Sequence, residues 1–399
     1  MKFVYITAQI PWGKGETFIL EEMLEVKNQG VDFLVIPRNP SKEIFHKDAK
    51  ELLENSVWLP LINLKIIFVF LYSFLIKKSL WKILSVLLKE SRNYRIFFKN
   101  LAVLPKAVYV AGVIRKNNIG HIHCHWGATT ATMAYVAAKI AGVPWSFTLH
   151  RWDIKENNML AEKVRSAIFV RCISEHGKRE LLAIIGKKYE SKVAVIHMGV
   201  SVPSQVSMKN FRKGLFTIVV PANIIEVKGH KYLIDAIESL VRDGVKEFEC
   251  LFYGDGILRE KLANDVKKRR LDGFIKMPGA LPHERLIELY KNGKIDCVVL
   301  PSITTPSGEH EGIPVALMEA MAYGVPVIST NTGAIPELLS GGAGILVKEK
   351  SGADLAKAIK TIMFDQEAAN KMTRVARKKI EDDFNVEKNT RALLKLIYQ

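Results

Sequence analysis

The sequence predicts an α/β protein that consists of two doubly wound domains, each with a parallel sheet covered by helices. Short apolar runs alternate with helical stretches along both halves of the chain, which is the pattern of parallel α/β sheets. A polar stretch over 200–214, rich in Ser, Gln, Asn and Lys, separates the halves. The first domain is therefore predicted over 1–204 and the second over 205–382, with a last helix over 383–399.

The first repeat of this pattern lies at the amino terminus. Residues 2–8 predict a buried strand, 17–28 a helix and 32–37 a second strand, which together form one unit of a doubly wound sheet. The loop before the helix contains Gly13 and Gly15, which allow a ligand to approach the backbone closely. A plain tight turn explains this glycine pair equally well.

Residues 57–116 differ from the rest in composition, because aromatic and basic residues are interleaved there and Glu90 is the only acid. The apolar run 66–76 has about half of the roughly 20 residues that a membrane span needs. Basic residues beside exposed aromatics suit an anionic membrane surface. Ordinary core helices with solvated lysines are the alternative, and the sequence leaves both open.

Three alternating histidines, His121, His123 and His125, lie on one face of a predicted strand. Side chains at successive same-face positions diverge, and no neighbouring carboxylate is evident, so no metal site is predicted. The next strand, 145–149, ends at His150. Residues at the carboxyl end of a parallel strand line the ligand crevice, which makes His150 a candidate site residue.

Two glutamates, Glu311 and Glu319, flank the start of a predicted helix. The helix N-terminus between them presents the N–H groups of Gly312, Ile313 and Val315 and the positive end of the helix dipole, which suit a phosphate. Carboxylates on both sides can accept hydroxyl hydrogen bonds. The pattern indicates a diphosphate between two polyols, as in a nucleotide-sugar, whereas the plainer interpretation is one capping and one solvated glutamate.

The run 311–330, EGIPVALMEAMAYGVPVIST, resembles the E-x7-E region of retaining glycosyltransferases of family 4, which have the GT-B fold. Residues 146–154, SFTLHRWDI, and 15–19, GETFI, resemble further motifs of bacterial colanic-acid and exopolysaccharide glycosyltransferases. The resemblance implies two Rossmann-like domains that face a central cleft, of which the first, 1–204, binds the acceptor and the second, 205–382, binds the nucleotide-sugar. It also implies that the last helix, 383–399, packs back on the first domain.

The resemblance also implies roles for single residues. Glu311 faces the donor sugar, Glu319 holds the ribose hydroxyls and His150 approaches the donor sugar. The backbone near Met277 reads the nucleotide base, and Asp153 orients a base or binds the acceptor.

Lys228 precedes Gly229 at a predicted helix start, where a compact cation beside flexible backbone suits a phosphate. The region resembles the family pattern G-R-L-x-x-x-K-G-H, but Asn223 occupies the position of the arginine. A neutral amide does not replace a guanidinium on a diphosphate. Lys14 or Arg151 could supply the positive charge that the arginine would provide. Arg151 is also the second candidate for acceptor binding.

The formal net charge of +17 implies anionic partners. Nucleic acid is not the expected partner, because the basic residues concentrate beside apolar runs and no nucleic-acid-binding module is evident. The cysteines are far apart and lie in apolar runs, so we expect buried free thiols in a reducing compartment: Cys124, Cys172, Cys250 and Cys297. The expected location is the cytoplasm, on the inner face of the cytoplasmic membrane.

The resemblance to this family implies transfer of a hexosyl group, with retention, from a UDP-sugar more than a GDP-sugar. The expected acceptor is a growing cell-surface polysaccharide linked to polyprenyl diphosphate. No dedicated D-x-D motif is present, so neither a metal nor another cofactor is expected. Two alternatives remain, namely a nucleotide-sugar epimerase of the same architecture and a membrane-associated binding protein whose site has decayed, as Asn223 suggests.

Overall fold

The computed structural model contains two compact units, each built on its own parallel sheet. Unit 1 consists of Met1–Met198 and Val386–Gln399, and unit 2 of Gly199–Asn385. The structure describes three stretches of the chain: 1–13, 16–204 and 214–399.

Six parallel strands form the sheet of unit 1. They are β1 (Phe3–Thr7), β2 (Phe33–Pro37), β3 (His121–His125), β4 (Trp145–Leu149), β5 (Val170–Cys172) and β6 (Val193–Val195). The strand order is β2-β1-β3-β4-β5-β6, so the direction of winding reverses between β1 and β3. Every residue of β1, β3 and β4 is buried, because helices cover both faces of the sheet.

Eight helices belong to this part of unit 1. They are α1 (Thr17–Asn28), α2 (Leu64–Ile76), α3 (Lys78–Glu90), α4 (Tyr94–Lys116), α5 (Thr129–Ala141), α6 (Trp152–Glu156), α7 (Leu160–Ser166) and α8 (Glu175–Ile185). Two 3-10 helices, Lys47–Asn55 and Lys187–Lys192, complete it. The side chains of Asn63 and Asn93 accept hydrogen bonds from backbone N–H groups in the first turns of α2 and α4, which fixes where these helices begin.

The sheet of unit 2 also has six parallel strands. They are β7 (Phe216–Pro221), β8 (Phe248–Tyr253), β9 (Ile275–Gly279), β10 (Cys297–Leu300), β11 (Val327–Thr330) and β12 (Ile345–Val347). The order is β12-β11-β10-β7-β8-β9, so winding reverses between β10 and β7. The strands of unit 1 and unit 2 confirm the predicted doubly wound class.

Seven helices surround the second sheet. They are α9 (His230–Arg242), α10 (Arg259–Lys268), α11 (His283–Lys291), α12 (Val315–Ala322), α13 (Ile335–Leu339), α14 (Gly352–Phe364) and α15 (Gln366–Asp383). Two short 3-10 helices are Glu226–Lys228 and Ser340–Gly342. The last helix, α16 (Val386–Tyr398), belongs to unit 1, where it packs against α1 and buries Leu393 and Ile397.

Local chemistry sets the ends of α12. Pro314 stands at its N-cap and Gly324 follows its C-terminus with a φ of 69°. The sequence of 341–347 predicts a last strand, and this range is too long. Gly341 and Gly342 have φ values of 69° and 85° and form a 3-10 turn, so β12 begins only at Ile345. The four cysteines are free and buried, which confirms that prediction.

Candidate functional site

In unit 2, Lys228 and Glu311 meet at the carboxyl edge of the sheet. Lys228 follows β7 and Glu311 follows β10, and these adjacent strands are the two between which winding reverses. The Nζ atom of Lys228 lies 2.5 Å from Oε1 of Glu311, and both side chains are largely buried. Open α/β sheets bind ligands where the strand order reverses, so the pair occupies the expected ligand position of this sheet.

Two glycines bring these loops together. A Cβ atom on Gly229 would lie 1.9 Å from the carbonyl oxygen of Pro301, and the φ of Gly229 is 66°. A Cβ atom on Gly333 would lie 2.0 Å from the carbonyl oxygen of Glu311, at a φ of 54°. No other residue type fits these close backbone approaches without displacement. The loops after β7, β10 and β11 are therefore held in contact around Glu311.

Glu319 lies in the second turn of α12 and is 7% exposed. Its Oε1 is 2.7 Å from Nε2 of His283, the first residue of α11. Tyr290 lies near the same carboxylate, and burial followed by the Glu319 charge raises the pKa of its phenol well above the ordinary value. Glu319 is thus a buried acceptor with one histidine partner, and it can accept further hydroxyl hydrogen bonds.

The backbone just before α12 offers hydrogen-bond donors. Within the described part of the chain, the N–H groups of Gly312 and Ile313 have no hydrogen-bond partner. Val315 is the first residue of α12, where N–H groups lack partners inside the helix. Donors next to the Lys228 ammonium and at the positive end of the helix dipole form a site for an anion.

The remaining candidates of unit 2 lie at the same edge of the sheet. Asn223 is exposed in the loop after β7. Met277 lies on β9, and its carbonyl oxygen accepts a hydrogen bond of 2.9 Å from the Arg259 guanidinium. The backbone at Met277 is thus held in place by a basic side chain.

In unit 1, the loops after β1 and β3 meet where that sheet reverses its winding. The carboxylate of Glu16 accepts hydrogen bonds from the N–H groups of Ala8, Gln9 and Ile10 and from Nε1 of Trp126, the last at 2.6 Å. Gly13 in the first loop is buried and has a φ of 127°, which favours glycine. The predicted Gly15, and Lys14 beside it, lie outside the described residues.

His150 directly follows β4 and is 6% exposed. Its ring lies 4.5 Å from the ring of Trp126 and 5.1 Å from that of Phe18, measured between centroids. Its Nε2 is 3.1 Å from Nδ1 of His125. Burial first, and then the neighbouring His125, hold the pKa of His150 well below its ordinary value, so the imidazole is neutral at pH 7.

Asp153 lies next to His150 but points its carboxylate at the backbone. It accepts N–H hydrogen bonds from Gly127 at 2.7 Å, from His150 at 3.1 Å and from Arg151 at 2.9 Å. These bonds tie the loop after β3 to the loop after β4. The guanidinium of Arg151 lies over the ring of Trp152, 4.3 Å from its centroid. The acceptor roles of Asp153 and Arg151 stay predictions, while the structure gives Asp153 a positioning role.

The alternating histidines of β3 have different partners. His121 and His123 face the hydroxyl of Ser146, each at 2.7 Å, and His123 also faces Thr148 at 2.9 Å. These hydroxyls lie on the neighbouring strand β4 and account for the first two histidines as buried, hydrogen-bonded residues. His125 instead connects to His150.

Sequence reasoning missed three residues beside the predicted ones: Glu16, Glu22 and His283. Glu22 lies on α1 among the core residues Ile19, Met23 and Val26, so a carboxylate on the apolar face of a helix was the available signal. No local pattern marks His283, whose role comes from the contact between α11 and α12.

The exposed surface of α2, α3 and the start of α4 combines apolar and basic side chains. We call it the helical patch, and its large apolar members are Leu64, Phe68, Leu71, Tyr72, Leu75, Ile76, Trp81, Leu88, Tyr94 and Phe98. Exposed basic residues lie among them, for example Lys78, Lys82 and Arg95. Among the described residues only α4 is long and apolar enough to cross a membrane, and half of its apolar stretch is buried, so it is weak evidence for a span.

Comparison with known proteins shows a family match in unit 2. Residues 204–379 match the family described as glycosyl transferases group 1. The chain is 34% identical over 209 residues to a putative colanic acid biosynthesis glycosyltransferase, WcaL, of Salmonella typhimurium, which covers 52% of this chain and 51% of WcaL. It is 33% identical over 251 residues to the amylovoran biosynthesis glycosyltransferase AmsK of Erwinia amylovora, covering 59% of each. These alignments thus span between half and three fifths of each relative.

Solved structures share the fold. The structure of Anabaena HepE in complex with UDP has a TM-score of 0.74 at 17% identity and covers both chains completely. Sucrose-phosphate synthase from Thermosynechococcus elongatus has a TM-score of 0.71 at 15% identity, covering 100% of this chain and 98% of that one. This likeness confirms the GT-B fold class.

Proposed function

Since residues 204–379 form a domain of the glycosyl transferases group 1 family, we propose that the chain is a retaining glycosyltransferase. It moves a hexosyl group from a nucleotide-sugar to a carbohydrate acceptor. A UDP-sugar is the preferred donor and a GDP-sugar the second choice. The solved HepE structures that contain UDP and UDP-glucose support the first choice.

The observation that carries this proposal is the ion pair of Lys228 and Glu311 at the reversal point of the second sheet. Lys228 and the N–H groups of Gly312 and Ile313 bring positive charge to one place. The buried carboxylate of Glu319 lies in α12, the helix that follows these two residues. A diphosphate against the ammonium and the amides, with its ribose hydroxyls on Glu319, uses all of these groups.

The chemistry follows from this placement. The bond between the sugar C1 and the phosphate oxygen breaks, and the sugar acquires oxocarbenium character. Lys228 and the amides stabilise the negative charge that develops on the departing diphosphate. An acceptor hydroxyl forms the new bond at C1 and passes its proton to a donor phosphate oxygen. Glu311 positions the sugar in unit 2, and His150 binds a carbohydrate hydroxyl in unit 1.

We propose that no metal or other cofactor takes part. The ammonium and the helix amides take the place that Mg²⁺ has in other nucleotide-sugar enzymes. This part is tested by turnover in the presence of a chelator, which should equal turnover without it.

We further propose that the acceptor is a growing exopolysaccharide linked to polyprenyl diphosphate and presented at an anionic membrane surface. Relatives named for colanic acid and amylovoran biosynthesis support the polysaccharide. The helical patch, with exposed aromatics beside lysines, supports the surface. Its residues lie in unit 1, the predicted acceptor-binding domain.

The proposal is tested with labelled UDP- and GDP-sugars incubated with the protein, with and without membranes from a polysaccharide-producing bacterium. Transfer of label to a lipid-extractable product with an unchanged anomeric configuration is the expected result. Conversion of the donor to an epimer without transfer would identify the epimerase alternative. Donor binding without any turnover would identify a decayed binding protein.

A further inference from the structure

Four buried polar side chains form a continuous chain through the interior of unit 1. Arg171 on β5 pairs with Oε2 of Glu22 on α1. The other oxygen, Oε1, lies 3.2 Å from Nε2 of His125 on β3, within ion-pair distance but without the alignment of a hydrogen bond. Nδ1 of His125 then lies 3.1 Å from Nε2 of His150, which follows β4. All four residues are more than nine-tenths buried, so water does not compete for these contacts.

The charge of Glu22 determines which ring nitrogens of His125 and His150 carry protons. Burial alone would raise the pKa of Glu22, but Arg171 and His125 hold it below the ordinary value, so the carboxylate is ionised. An ionised carboxylate only accepts hydrogen bonds. A neutral His125 beside this carboxylate carries its proton on Nε2 and presents a lone pair at Nδ1. Nε2 of His150 is then the donor, which leaves the lone pair of His150 on Nδ1.

The lone pair on Nδ1 of His150 meets no hydrogen-bond donor in the described part of the chain. The nitrogen itself is buried. A buried polar atom without a partner is costly, and such atoms in native proteins call for a ligand or another reason. Burial holds the pKa of His150 low, so its ring is neutral and one of its two nitrogens has a lone pair.

We propose that Glu22 and His125 are positioning residues that fix His150 in the tautomer with a free Nδ1, and that this nitrogen accepts a hydrogen bond from a carbohydrate hydroxyl. The identity of the ligand rests on the proposed function, whereas the tautomer does not. Neighbouring rings hold the geometry. Tyr5 stacks against His125 at 5.5 Å between centroids, and its hydroxyl lies 3.3 Å from Oε1 of Glu22.

Nitrogen-15 NMR of the histidine rings reads the tautomer directly in the unliganded protein. The resonances of His150 are assigned by their loss in a His150→Asn variant. We expect a pyridine-type Nδ1 and a pyrrole-type, protonated Nε2 for both His150 and His125. A protonated Nδ1 on His150 in the wild-type protein would overturn the proposal, and the His150→Asn variant serves only to assign the resonances.

Glu22→Gln provides the stronger test, because it should reverse the proton order. The guanidinium of Arg171 can only donate, so the glutamine will turn its oxygen toward Arg171 and its NH₂ toward His125. His125 Nε2 must then accept, and the proton moves to Nδ1 of both histidines. We expect pyrrole-type Nδ1 resonances and a fall in kcat/KM for the donor of about tenfold to a hundredfold, the cost of a hydroxyl acceptor turned into a donor.

Glu162→Gln is the matched control. Glu162 is also buried in unit 1, where it accepts hydrogen bonds from Tyr135 and Arg165, and it has no histidine partner among the described residues. This variant should keep the wild-type tautomers and turnover. Equal loss of turnover in both variants, with unchanged ring resonances, would reduce Glu22 to a structural residue. If no nucleotide-sugar is turned over by the wild type, the proposed function fails while the tautomer assignment still stands or falls on its own spectrum.

Discussion

Glu311 and Lys228 contact each other at 2.5 Å although β8, β9 and β10 lie between them in the sequence. The contact exists because β7 and β10 are neighbours in the sheet, and their carboxyl ends lie at one edge. A largely buried cation and its counterion therefore lie together at this edge. The pair is therefore the most direct target for substitution.

Lys228→Ala should lower kcat/KM for the donor by at least about a hundredfold, because a charge-assisted contact to the departing diphosphate is lost. Glu311→Gln should lower kcat more than it raises KM, since the proposed role of this residue is to position the reacting sugar. Steady-state kinetics on purified variants measure both. Lys231→Ala removes an exposed lysine of α9 and should leave the parameters unchanged. Wild-type turnover in both Lys228→Ala and Glu311→Gln would refute the site.

Glu319→Gln should mainly weaken donor binding, by about tenfold in KM, because an amide is a weaker acceptor for ribose hydroxyls than a carboxylate. Titration with the nucleoside diphosphate alone should show the same loss. Glu288→Gln is the control, since that glutamate forms an exposed pair with Arg285. A loss of kcat at unchanged nucleotide affinity would contradict the assigned role.

Gly333→Ala should destabilise unit 2 by about 3 kcal/mol, because the new Cβ meets the Glu311 carbonyl at 2.0 Å and the φ of 54° is strained for alanine. Gly341→Ala has a similar φ of 69° but no atom within 4 Å of the new Cβ, so it should cost only about 1 kcal/mol. Urea unfolding of both variants measures the difference. Equal losses would show that the backbone near Glu311 is not tightly held.

Acid should destabilise unit 1 through its buried histidines. Burial lowers the pKa of His121 to about 4, below its ordinary 6.5, so between these values the unfolded chain binds a proton that the folded one does not. Stability from this group is present above pH 6.5 and falls as the pH drops toward 4, by at most about 3 kcal/mol.

His121→Asn keeps a polar partner for Ser146 but cannot titrate, so the slope of unfolding free energy against pH should become shallower in this window. Denaturant unfolding at several pH values measures the slope. The same substitution at the partly exposed His46 is the control. An unchanged slope in His121→Asn would contradict the assignment.

The helical patch should bind anionic vesicles. Phe68 and Leu75 are 73% and 82% exposed, and replacing both with serine should weaken binding to phosphatidylglycerol vesicles at least tenfold. Ile257 and Phe364 are 89% and 70% exposed outside the patch, and the same double replacement there should have no effect. Cosedimentation with anionic and neutral vesicles, at low and high salt, measures the apolar and the electrostatic contributions to binding. Equal binding of all variants would remove the patch from the proposal.

The sequence alone carries the local part of this structure. Apolar runs of strand length show where strands lie. The ends of α12 follow from Pro314 before it and Gly324 after it, because backbone sterics and capping act over a few residues. The motif around Glu311 and Glu319 is also local, so it could be recognised as a candidate donor site from the sequence. The histidines of β3 show the limit of this reasoning, since a strand pattern tells which face they share but not what they touch.

Tertiary structure alone decided the partners. The strand order placed Lys228 on Glu311 and Glu22 on His125, and the contact of α11 with α12 placed His283 on Glu319. The two members of each pair are far apart along the chain, and the sequence around one residue does not indicate its partner. Charge state and tautomer depend on such contacts, because burial and neighbouring charges set them, so the chemistry of His150 emerged only from the folded protein.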